Sequence, residues 1–513
     1  MGEWNRRRRT QQIGFFIGPL LFAVMVLWPL PEGTFTKTIH DMGVTDPASV
    51  EKLSQGLQTV IGLTVLMVSW WITEAVPIPV TALLPGVLLP LLNVHGLSGG
   101  TVRAFTSTSA FHSYAHPVVY LFLAGFLLAA ALTKHRLDRR LTLRLLTLGR
   151  IAERPPLVLA AMMTGTALIS MWVSNTASAA IMLPLALGVG DRLVAAGSRA
   201  HVRVALLLGI AWSASIGGVT TLVGSPPNGI AVSILDQQGI AHIGFLDWLL
   251  IGLPVAVLLL PMAWLVLLWQ FPLRTSEGHS DVAALFAEER ARLGEWSPAE
   301  RRTLGVFITA VILWGSRPFW ERIAPEGIAS RLAGWDVYEI GLLCAALLFF
   351  IPAGKPSGER LLDWSDAQRI DWGTLILFGG GLALSAAMFQ TGMAQWLTQT
   401  IVAFMGTPPM WVLIAVAALF LNFLTEITSN TAVTSMMVPI LVALGIELGA
   451  NPLPLVLAAT LNASMAFMLP VATPPNALVY GTGHISIGQM VRAGFRMNLL
   501  GWAAIMFVIL VVR

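Results

Sequence analysis

Hydrophobic positions along the chain gather into long apolar segments separated by short polar stretches. These segments lie near residues 13–30, 57–73, 77–92, 117–133, 155–190, 202–235, 246–271, 303–316, 338–352, 373–390, 410–446, 453–480 and 493–512. A helix crosses a bilayer with roughly 20 apolar residues. The segments 155–190 and 410–446 are too long for one span, and each carries the triplet Ser-Asn-Thr near its middle. We therefore predict an all-α polytopic membrane protein with about 11 full spans and two re-entrant helix–turn–helix hairpins.

Composition agrees with this interpretation. Hydrophobic residues make up 56% of the chain and charged residues 11%, whereas soluble domains carry roughly 25% charge. The formal net charge of +4 is weak evidence for nucleic acid, and we expect no such partner. The basic N-terminus and the apolar run from Ile13 to Leu30 resemble a signal peptide, but the run is long and no small-x-small cleavage pattern follows it. We predict a retained first transmembrane helix.

The distribution of Lys and Arg predicts the orientation, because cytoplasmic loops are enriched in both. Four arginines occupy 6–9, seven basic residues lie in 134–154 and five in 274–303, while 236–247 and 391–411 contain none. The pattern predicts a multi-pass protein of a bacterial-type inner (plasma) membrane, with a cytoplasmic N-terminus and an external C-terminus. The segment 317–337 goes against the rule, because it is external in this scheme yet contains Arg317, Arg322 and Arg331.

The two halves of the chain resemble each other. The stretch 116–141 is similar to 371–397, each half then has a hairpin segment with Ser-Asn-Thr, and "GSPPNGIAV" at 224–232 matches "ATPPNALVY" at 472–480. The charge pattern orients the halves oppositely, which is typical of inverted-repeat secondary transporters that bind substrate at the repeat interface. We predict four parts: 1–56 with the N-terminal tail, first helix and an external loop; a first repeat at 57–273; a cytoplasmic connecting arm at 274–303; and a second repeat at 304–513.

The repeated motifs indicate a particular chemistry. Ser and Asn are good N-caps, so each triplet is expected to cap the second helix of its hairpin. Ser225-Pro226-Pro227 and Thr473-Pro474-Pro475 read as restarts of broken helices, because proline is favoured at a first helical position. Helix N-termini suit anions, and unwound carbonyls with hydroxyl and amide oxygens suit a small alkali cation. Neither hairpin segment contains Lys or Arg.

With both triplets, both Pro-Pro-Asn motifs and "WWITEAVPIPVTALLPGVLLPLL" at 70–92, the chain resembles the divalent-anion:sodium symporter (INDY-type) family over roughly residues 57–512. The resemblance implies a homodimer in membrane lipid, an elevator-type transport domain, and Na⁺-driven uptake of small dianionic C4-dicarboxylates such as succinate, fumarate and malate. It implies two or more sodium sites and a substrate site. The expected sodium ligands are Ser170, Ser174, Asn175 and Gly224 in one set, and Thr425, Thr428, Asn430 and Ala472 in the other. The expected substrate contacts are Ser174, Asn175, Thr176, Ser225, Ser429, Asn430, Thr431, Thr473 and Pro474.

Several alternatives stay open at this point. A sodium-independent dicarboxylate exchanger, or a carrier of sulfate or citrate, would carry similar motifs. A membrane enzyme is disfavoured, because the sequence has no HExxH, CxxC or GxSxG motif and its one cysteine, Cys344, lies in an apolar run. Glu74 and Glu426 are acidic residues at predicted membrane depth, where such residues are often functional. The sequence assigns neither a role.

Overall fold

The computed structural model describes residues 2–31, 33–147, 151–273, 282–323, 334–354, 358–406 and 408–511. In these ranges the chain is mainly helical, as the hydrophobic pattern predicts. The helices of the first half are α1 Gly2–Leu27, α2 Thr36–Asp41, α3 Pro47–Thr73, α4 Ile78–Thr81, α5 Leu84–Leu91, α6 Ser107–His112, α7 Pro117–Lys134, α8 Leu137–Leu146, α9 Pro155–Ser170, α10 Asn175–Ala195, α11 His201–Gly218, α12 Pro226–Gln237 and α13 Phe245–Gln270. Those of the second half are α14 Val282–Leu293, α15 Pro298–Ile323, α16 Val337–Phe350, α17 Trp364–Ala367, α18 Trp372–Gln390, α19 Met393–Met405, α20 Met410–Leu424, α21 Asn430–Glu447, α22 Leu453–Ala463, α23 Pro474–Gly481 and α24 Ile487–Val511.

A small β-hairpin is the one departure from the all-α prediction within the described ranges. Strands β1 (His95–Ser98) and β2 (Thr101–Ala104) pair in antiparallel register. Gly99 and Gly100, which join them, have φ angles of 57° and 76°. Two-residue hairpin turns of this kind need positive φ at both central residues, and glycine adopts it without steric cost. The Gly-Gly pair therefore indicated a hairpin turn in the sequence, although the apolar residues around it favoured the prediction of helices.

Within the described residues, nine helices are long and apolar enough to cross a membrane. The predicted span 77–92 differs from a single helix, because it divides into α4 and α5. Four prolines, at positions 77, 79, 85 and 90, interrupt it, and proline both removes a backbone donor and clashes with the preceding turn. At 1.5 Å per residue, the eight residues of α5 extend about 12 Å, well short of the ~30 Å hydrocarbon core.

Three predicted boundaries fall inside helices. The basic N-terminal tail belongs to α1, which begins at Gly2, and α3 begins at Pro47, before the predicted repeat start at 57. In the arm, α14 covers Val282–Leu293 and residues 274–281 lie outside the described residues. Helix α15 begins at Pro298, where Glu300 accepts a hydrogen bond from the backbone N–H of Ser297 (2.6 Å) and so caps the helix start before the predicted end of the arm at 303.

The repeated stretches 116–141 and 371–397 have the same local structure. In each, a long helix ends, a two-residue turn follows, and a shorter helix begins: α7 leads to α8, and α18 leads to α19. The last turn residue is left-handed in both copies, with φ 54° at Arg136 and φ 81° at Gly392. Glycine adopts this conformation freely, whereas a non-glycine residue rarely does. The similarity read from the sequence therefore extends to the backbone of the turn.

The chain forms two compact units. The first contains Met1–Val119, Ile230–His242 and Trp372–Ala463; the second contains Tyr120–Gly229, Ile243–Asp371 and Ser464–Arg513. Each unit draws on both halves of the sequence, so the units do not coincide with the predicted repeats, whose boundaries stay a prediction. In the first unit α3 packs against α1, and α21 packs against α18 and α19. In the second unit α11 packs against α9, α10 and α13, and α13 packs against α24.

Candidate functional site

The first Ser-Asn-Thr triplet forms the turn of a helix–turn–helix hairpin. Helix α9 ends at Ser170 and α10 begins at Asn175. Ser174 is the N-cap of α10, and its hydroxyl oxygen accepts a hydrogen bond from the backbone N–H of Ala177 (3.3 Å). The prediction that this triplet caps the second helix is confirmed. Inside the turn, the Thr221 hydroxyl donates to the carbonyl of Met171, which ties the hairpin to the chain after α11.

A group of three oxygens lies beside this turn. The Ser170 hydroxyl oxygen is 2.8 Å from Oδ1 of Asn175 and 2.7 Å from the carbonyl oxygen of Ala214 on α11. All three are acceptors, and the hydroxyl brings one hydrogen to serve two of them. Ser170 is fully buried. A buried oxygen group with fewer hydrogens than acceptors is electron-rich, which suits a small hard cation.

The second hairpin repeats this arrangement. The Thr425 hydroxyl oxygen is 2.6 Å from Oδ1 of Asn430 and 2.7 Å from the carbonyl oxygen of Ala463 on α22. The serine or threonine precedes the asparagine by five residues in both copies. Ser429 is the N-cap of α21 by position, but its side chain makes no capping hydrogen bond. The second triplet therefore begins the helix as predicted while capping it less completely than the first.

Each Pro-Pro-Asn motif stabilises the unwound loop that precedes it. Nδ2 of Asn228 donates to the carbonyls of Gly218 (3.0 Å) and Thr221 (2.8 Å). Nδ2 of Asn476 donates to the carbonyls of Ala466 (3.0 Å) and Leu469 (3.1 Å). In both copies the acceptors lie ten and seven residues before the asparagine. Both side chains are fully buried, so the amide keeps loop carbonyls hydrogen-bonded where no water reaches them.

Close backbone packing brings the first broken helix to the hairpin turn. A β-carbon at Gly218 would clash with Oδ1 of Asn175, and one at Gly217 would clash with the carbonyl of Ala167. At Gly224 it would lie 2.6 Å from the carbonyl oxygen of Gly218 and 3.0 Å from that of Met171. Glycine is therefore required sterically at these positions. The carbonyl-rich loop can approach the Asn175 amide only because side chains are absent.

The predicted site residues divide between the two compact units. The second unit holds Ser170, Ser174, Asn175, Thr176, Gly224, Ser225, Ala472, Thr473 and Pro474. The first unit holds Thr425, Thr428, Ser429, Asn430 and Thr431. The first predicted sodium set thus lies within one unit, and the structure brings Ser170 and Asn175 together. The second set combines residues of both units and stays a prediction.

Exposure differs between the two triplets. Thr176 is exposed, whereas Thr431 is 9% exposed and Thr428 is 8% exposed. Ser225 and Thr473, which precede the restarted helices, are 3% and 5% exposed. Thr473 caps α23 by accepting from the backbone N–H of Asn476 (3.4 Å). Ser174 is also exposed. The first triplet is therefore the more accessible of the two, and Thr176 is the exposed one of the two triplet threonines.

Within the second unit, the second broken helix lies against the first hairpin. Helix α23 packs against α10 and α11. The rings of Trp212 on α11 and Phe467 in the loop before α23 are 5.6 Å apart. The restart at Pro474 and the hairpin helix of the first triplet thus belong to one packed body. The N-terminus of α10 can offer backbone N–H groups to an anion. Helix α23 begins with two prolines, which have no N–H, and the N–H groups of Asn476 and Ala477 donate to Thr473.

The donors available for a cation at this site are neutral oxygens. Among the described residues, no group of three or more His, Cys, Asp or Glu could hold a metal ion. Glu426 is buried next to the second triplet at 3% exposure, and Cys344 is buried elsewhere. Hydroxyl, amide and carbonyl oxygens favour hard cations over zinc or copper.

Sequence reasoning missed four contributors to this geometry. Ala214 and Ala463 supply carbonyls through the backbone, so their side chains carry no signal. Asn228 and Asn476 were visible as part of a repeated motif, but their role in holding the loop depends on contacts that only the fold reveals. Gly381 on α18 allows close helix packing, because a β-carbon there would lie 2.6 Å from Oγ of Ser435 on α21.

Comparison with known proteins gives consistent matches. The family description "Sodium:sulfate symporter transmembrane region" matches residues 42–512. The sodium-dependent dicarboxylate transporter SdcS of Staphylococcus saprophyticus is 36% identical over 97% of this chain and 91% of its own length. The protein of the same name from Staphylococcus aureus strain USA300 is 34% identical over 97% and 90%.

Two solved structures share the fold at low sequence identity. The Alcanivorax borkumensis YdaH transporter aligns with a TM-score of 0.56 at 16% identity, covering 87% of this chain and 97% of its own. Neisseria gonorrhoeae MtrF, described as illuminating a class of antimetabolite efflux pumps, aligns with a TM-score of 0.57 at 13% identity, covering 88% and 96%. At these identities the likeness concerns the fold alone.

Proposed function

Because this chain belongs to the sodium:sulfate symporter family, a family of multi-pass membrane transporters rather than enzymes, we propose that it couples Na⁺ influx to the uptake of C4-dicarboxylates such as succinate, fumarate and malate. The observation that carries this proposal is the paired oxygen group, Ser170 with Asn175 and Thr425 with Asn430, built the same way in both hairpins. Two relatives at 34–36% identity are named as sodium-dependent dicarboxylate transporters, which supports Na⁺ as the coupling ion and a dicarboxylate as the substrate.

The proposed sodium sites use neutral oxygen ligands. Ser170, Ser174, Asn175 and the Gly224 carbonyl form one; Thr425, Thr428, Asn430 and the Ala472 carbonyl form the other. In the first, the carbonyl-rich loop at Gly218–Gly224 packs against the turn that contains Asn175. A bound cation would offset the mutual repulsion of the oxygens, which share too few hydrogens.

The proposed substrate site uses the triplets and the helix restarts. Ser174, Asn175 and Thr176 would face one carboxylate and Ser429, Asn430 and Thr431 the other, with Ser225, Thr473 and Pro474 close by. Each asparagine can offer its oxygen to a cation and its NH₂ group to a carboxylate. Sodium and substrate would then stabilise each other's sites, and linkage makes the two affinities reciprocal. This reciprocity is the physical basis that we propose for coupled transport.

Transport would proceed by alternating access. We propose a homodimer in which the hairpins travel together as an elevator-type transport domain, in keeping with an inverted-repeat carrier. The protein would lie in the bacterial-type inner (plasma) membrane, with the N-terminus cytoplasmic and the C-terminus external.

Uptake into proteoliposomes tests the proposal. Radiolabelled succinate should accumulate when an inward Na⁺ gradient is imposed and should not accumulate when K⁺ replaces Na⁺. Uptake that needs internal dicarboxylate but no sodium would identify an exchanger and contradict the symport. Because the family description names sulfate, labelled sulfate and citrate are the matched alternative substrates. Faster sodium-driven uptake of either would overturn the dicarboxylate assignment.

A further inference from the structure

A cavity lies in the second compact unit, and none of its described lining residues belongs to a hairpin turn. Its volume is about 700 Å³, and helices α8 and α14 form most of its wall. Helix α8 follows α7, which ends a candidate membrane span at Lys134, and it precedes α9, the first arm of the hairpin. Because α8 connects these two apolar segments, we expect it to lie at the boundary between membrane and water.

The facing sides of the two helices are apolar with embedded arginines. Helix α14 lines the cavity with Ala283, Phe286, Ala287, Arg290 and Ala291, which recur at the three- and four-residue spacing of one helix face. The α8 side consists of Arg140, Leu143, Arg144 and Leu146. Trp296 closes one end, and the guanidinium groups of Arg140 and Arg144 each lie 5.0 Å from the centre of its ring.

Arg140 has a structural role that occupies its donors. Its Nε donates to Glu300 at 2.6 Å, and its terminal nitrogens donate to the carbonyls of Leu293, Gly294 and Glu295 at 3.0–3.2 Å. The side chain is 9% exposed. Four of its five N–H donors are engaged, by one carboxylate and three carbonyls, which leaves little capacity for a ligand. It fixes the C-terminal end of α14 against α8.

Arg144 and Arg290 are in a different situation. Both are exposed and line the cavity, and neither makes an ion pair or a side-chain hydrogen bond with the residues that the structure describes. The carboxylates of Glu288 and Glu289 are engaged by Arg139, Arg192 and Arg292. Glu295, also exposed, is the carboxylate that the described lining contributes. Among the described residues, the lining therefore has two arginines without an anionic partner, one from each helix.

We propose that this cavity binds an anionic phospholipid. The phosphate would meet Arg144 and Arg290, and an acyl chain would lie along the exposed alanines of α14, Ala283, Ala287 and Ala291. Arginine pairs well with phosphate oxygens, and basic pockets beside membrane-spanning helices are suited to anionic lipid headgroups. The cavity volume of about 700 Å³ is in the range of small-molecule sites, so it would take the headgroup and part of one acyl chain. A lipid held there would join α8 to α14, independently of which substrate the transporter carries.

Native mass spectrometry of the purified, delipidated full-length protein tests the proposal. The probes are dioleoyl phosphatidylglycerol, dioleoyl phosphatidylcholine and inorganic phosphate. The parent should retain phosphatidylglycerol and should not retain phosphatidylcholine at the same concentration. Arg144→Gln combined with Arg290→Gln should weaken phosphatidylglycerol binding about 10- to 30-fold, at ~1 kcal/mol for each arginine. Arg199→Gln, at an exposed arginine between α10 and α11, is the matched control and should bind like the parent.

A second variant separates the cavity from the charges. Ala287→Trp fills the wall at an exposed position and keeps both arginines. It should also lose phosphatidylglycerol, which tests the proposal even if the double arginine variant does not fold. Equal phosphatidylglycerol retention by the parent and by either variant would overturn the proposal. Displacement of the lipid by millimolar inorganic phosphate would overturn it as well, because the site would then recognise a small anion and would not require an acyl chain.

Discussion

Ser170 and Thr425 each have one hydroxyl hydrogen and two acceptor oxygens within 2.8 Å. One of the acceptors in each pair must do without that hydrogen. The group therefore has an oxygen lone pair that a cation could coordinate. The hydroxyl oxygen itself is therefore a candidate Na⁺ ligand. This would explain why a serine or threonine lies five positions before each asparagine.

The Ser170→Ala variant tests this. Loss of the hydroxyl should weaken Na⁺ binding by about 1.5–3 kcal/mol, or roughly tenfold or more, the range for interactions with charged groups. The Na⁺ concentration for half-maximal succinate binding, measured by calorimetric titration, should rise accordingly. Ser213→Ala is the control, because Ser213 is equally buried but donates only to the Gly209 carbonyl in its own helix. If the Ser170→Ala protein is less stable but has the parent's Na⁺ affinity, then the hydroxyl stabilises the turn and does not bind Na⁺.

Asp138 on α8 predicts a pH dependence of stability. Burial raises the pKa of this carboxyl from 3.8 to about 6, although the backbone N–H of Arg139 donates to it at 2.7 Å and opposes the shift. Between about pH 4 and pH 6 the unfolded chain loses this proton before the folded protein does. Stability therefore falls as pH rises through that window, by up to about 3 kcal/mol, and the loss is complete above it.

The isosteric variant Asp138→Asn should remove this contribution. Its thermal midpoint should match that of the parent near pH 4 and exceed it increasingly up to pH 7, as measured by fluorescence-detected unfolding in one detergent. If the difference in midpoint is the same at every pH, then the carboxyl does not titrate in this window.

At the scale of elements, the candidate site depends on how closely helices approach the hairpin turn. Residues 217–218 end α11, and the Asn175 amide fits only because Gly218 has no side chain. The loop that follows is held by Asn228, so turn, loop and restarted helix share one set of backbone contacts. A change in helix packing here should act on ion binding without removing any ligand.

Gly218→Ala is the corresponding variant. The added methyl group would clash with Oδ1 of Asn175 and displace the amide, so Na⁺-dependent uptake should fall more than tenfold. Gly305→Ala is the control, because a β-carbon there meets no heavy atom within 4 Å, and it should gain about 0.5–1 kcal/mol of stability from helix propensity. Wild-type uptake by a folded Gly218→Ala protein would contradict the close-approach argument.

The local elements were largely predictable from the sequence, for physical reasons. The long apolar segments and the Pro-Pro-Asn motifs predicted the hairpins and the broken helices. This was possible because helix capping and proline geometry depend on only a few neighbouring residues. The prediction of one continuous span at 77–92 was wrong. It relied on the number of apolar residues and gave too little weight to the four prolines in the segment. The carbonyls of Ala214 and Ala463 could not be predicted, because a backbone oxygen is presented by any residue and only packing selects it.

At the scale of the whole molecule, the two compact units each combine segments from both halves of the sequence. Hydrophobic periodicity reports which face of an element is buried, but it does not report which distant element covers that face. The sequence could therefore suggest two repeats, which stay a prediction, but it could not indicate the units. Orientation in the membrane is a further whole-molecule property, and it rests on the distribution of basic residues.

Accessibility labelling tests that orientation. In a Cys344→Ala background, which removes the native cysteine, Ala200→Cys and Gln237→Cys introduce thiols at exposed positions. An impermeant maleimide added to intact cells should label Gln237→Cys, in the external segment 236–247, and should leave Ala200→Cys unlabelled until the cells are opened. Labelling of both variants in intact cells would contradict the predicted topology.

The neutral character of the hairpins has an electrical consequence. Residues 155–190 contain no ionisable side chain, and residues 410–446 contain only Glu426. In the proposed elevator mechanism, a fixed charge of this kind would cross the field in both directions during each cycle, so it would cancel from the net current. The steady current then depends only on the net charge of the transported ions. A dianion with two Na⁺ has no net charge and produces no current. A third Na⁺ adds one positive charge, and the membrane potential drives its movement with ~2.3 kcal/mol per 100 mV. Under voltage clamp, the sign and size of the succinate-evoked current would therefore give the number of sodium ions per turnover.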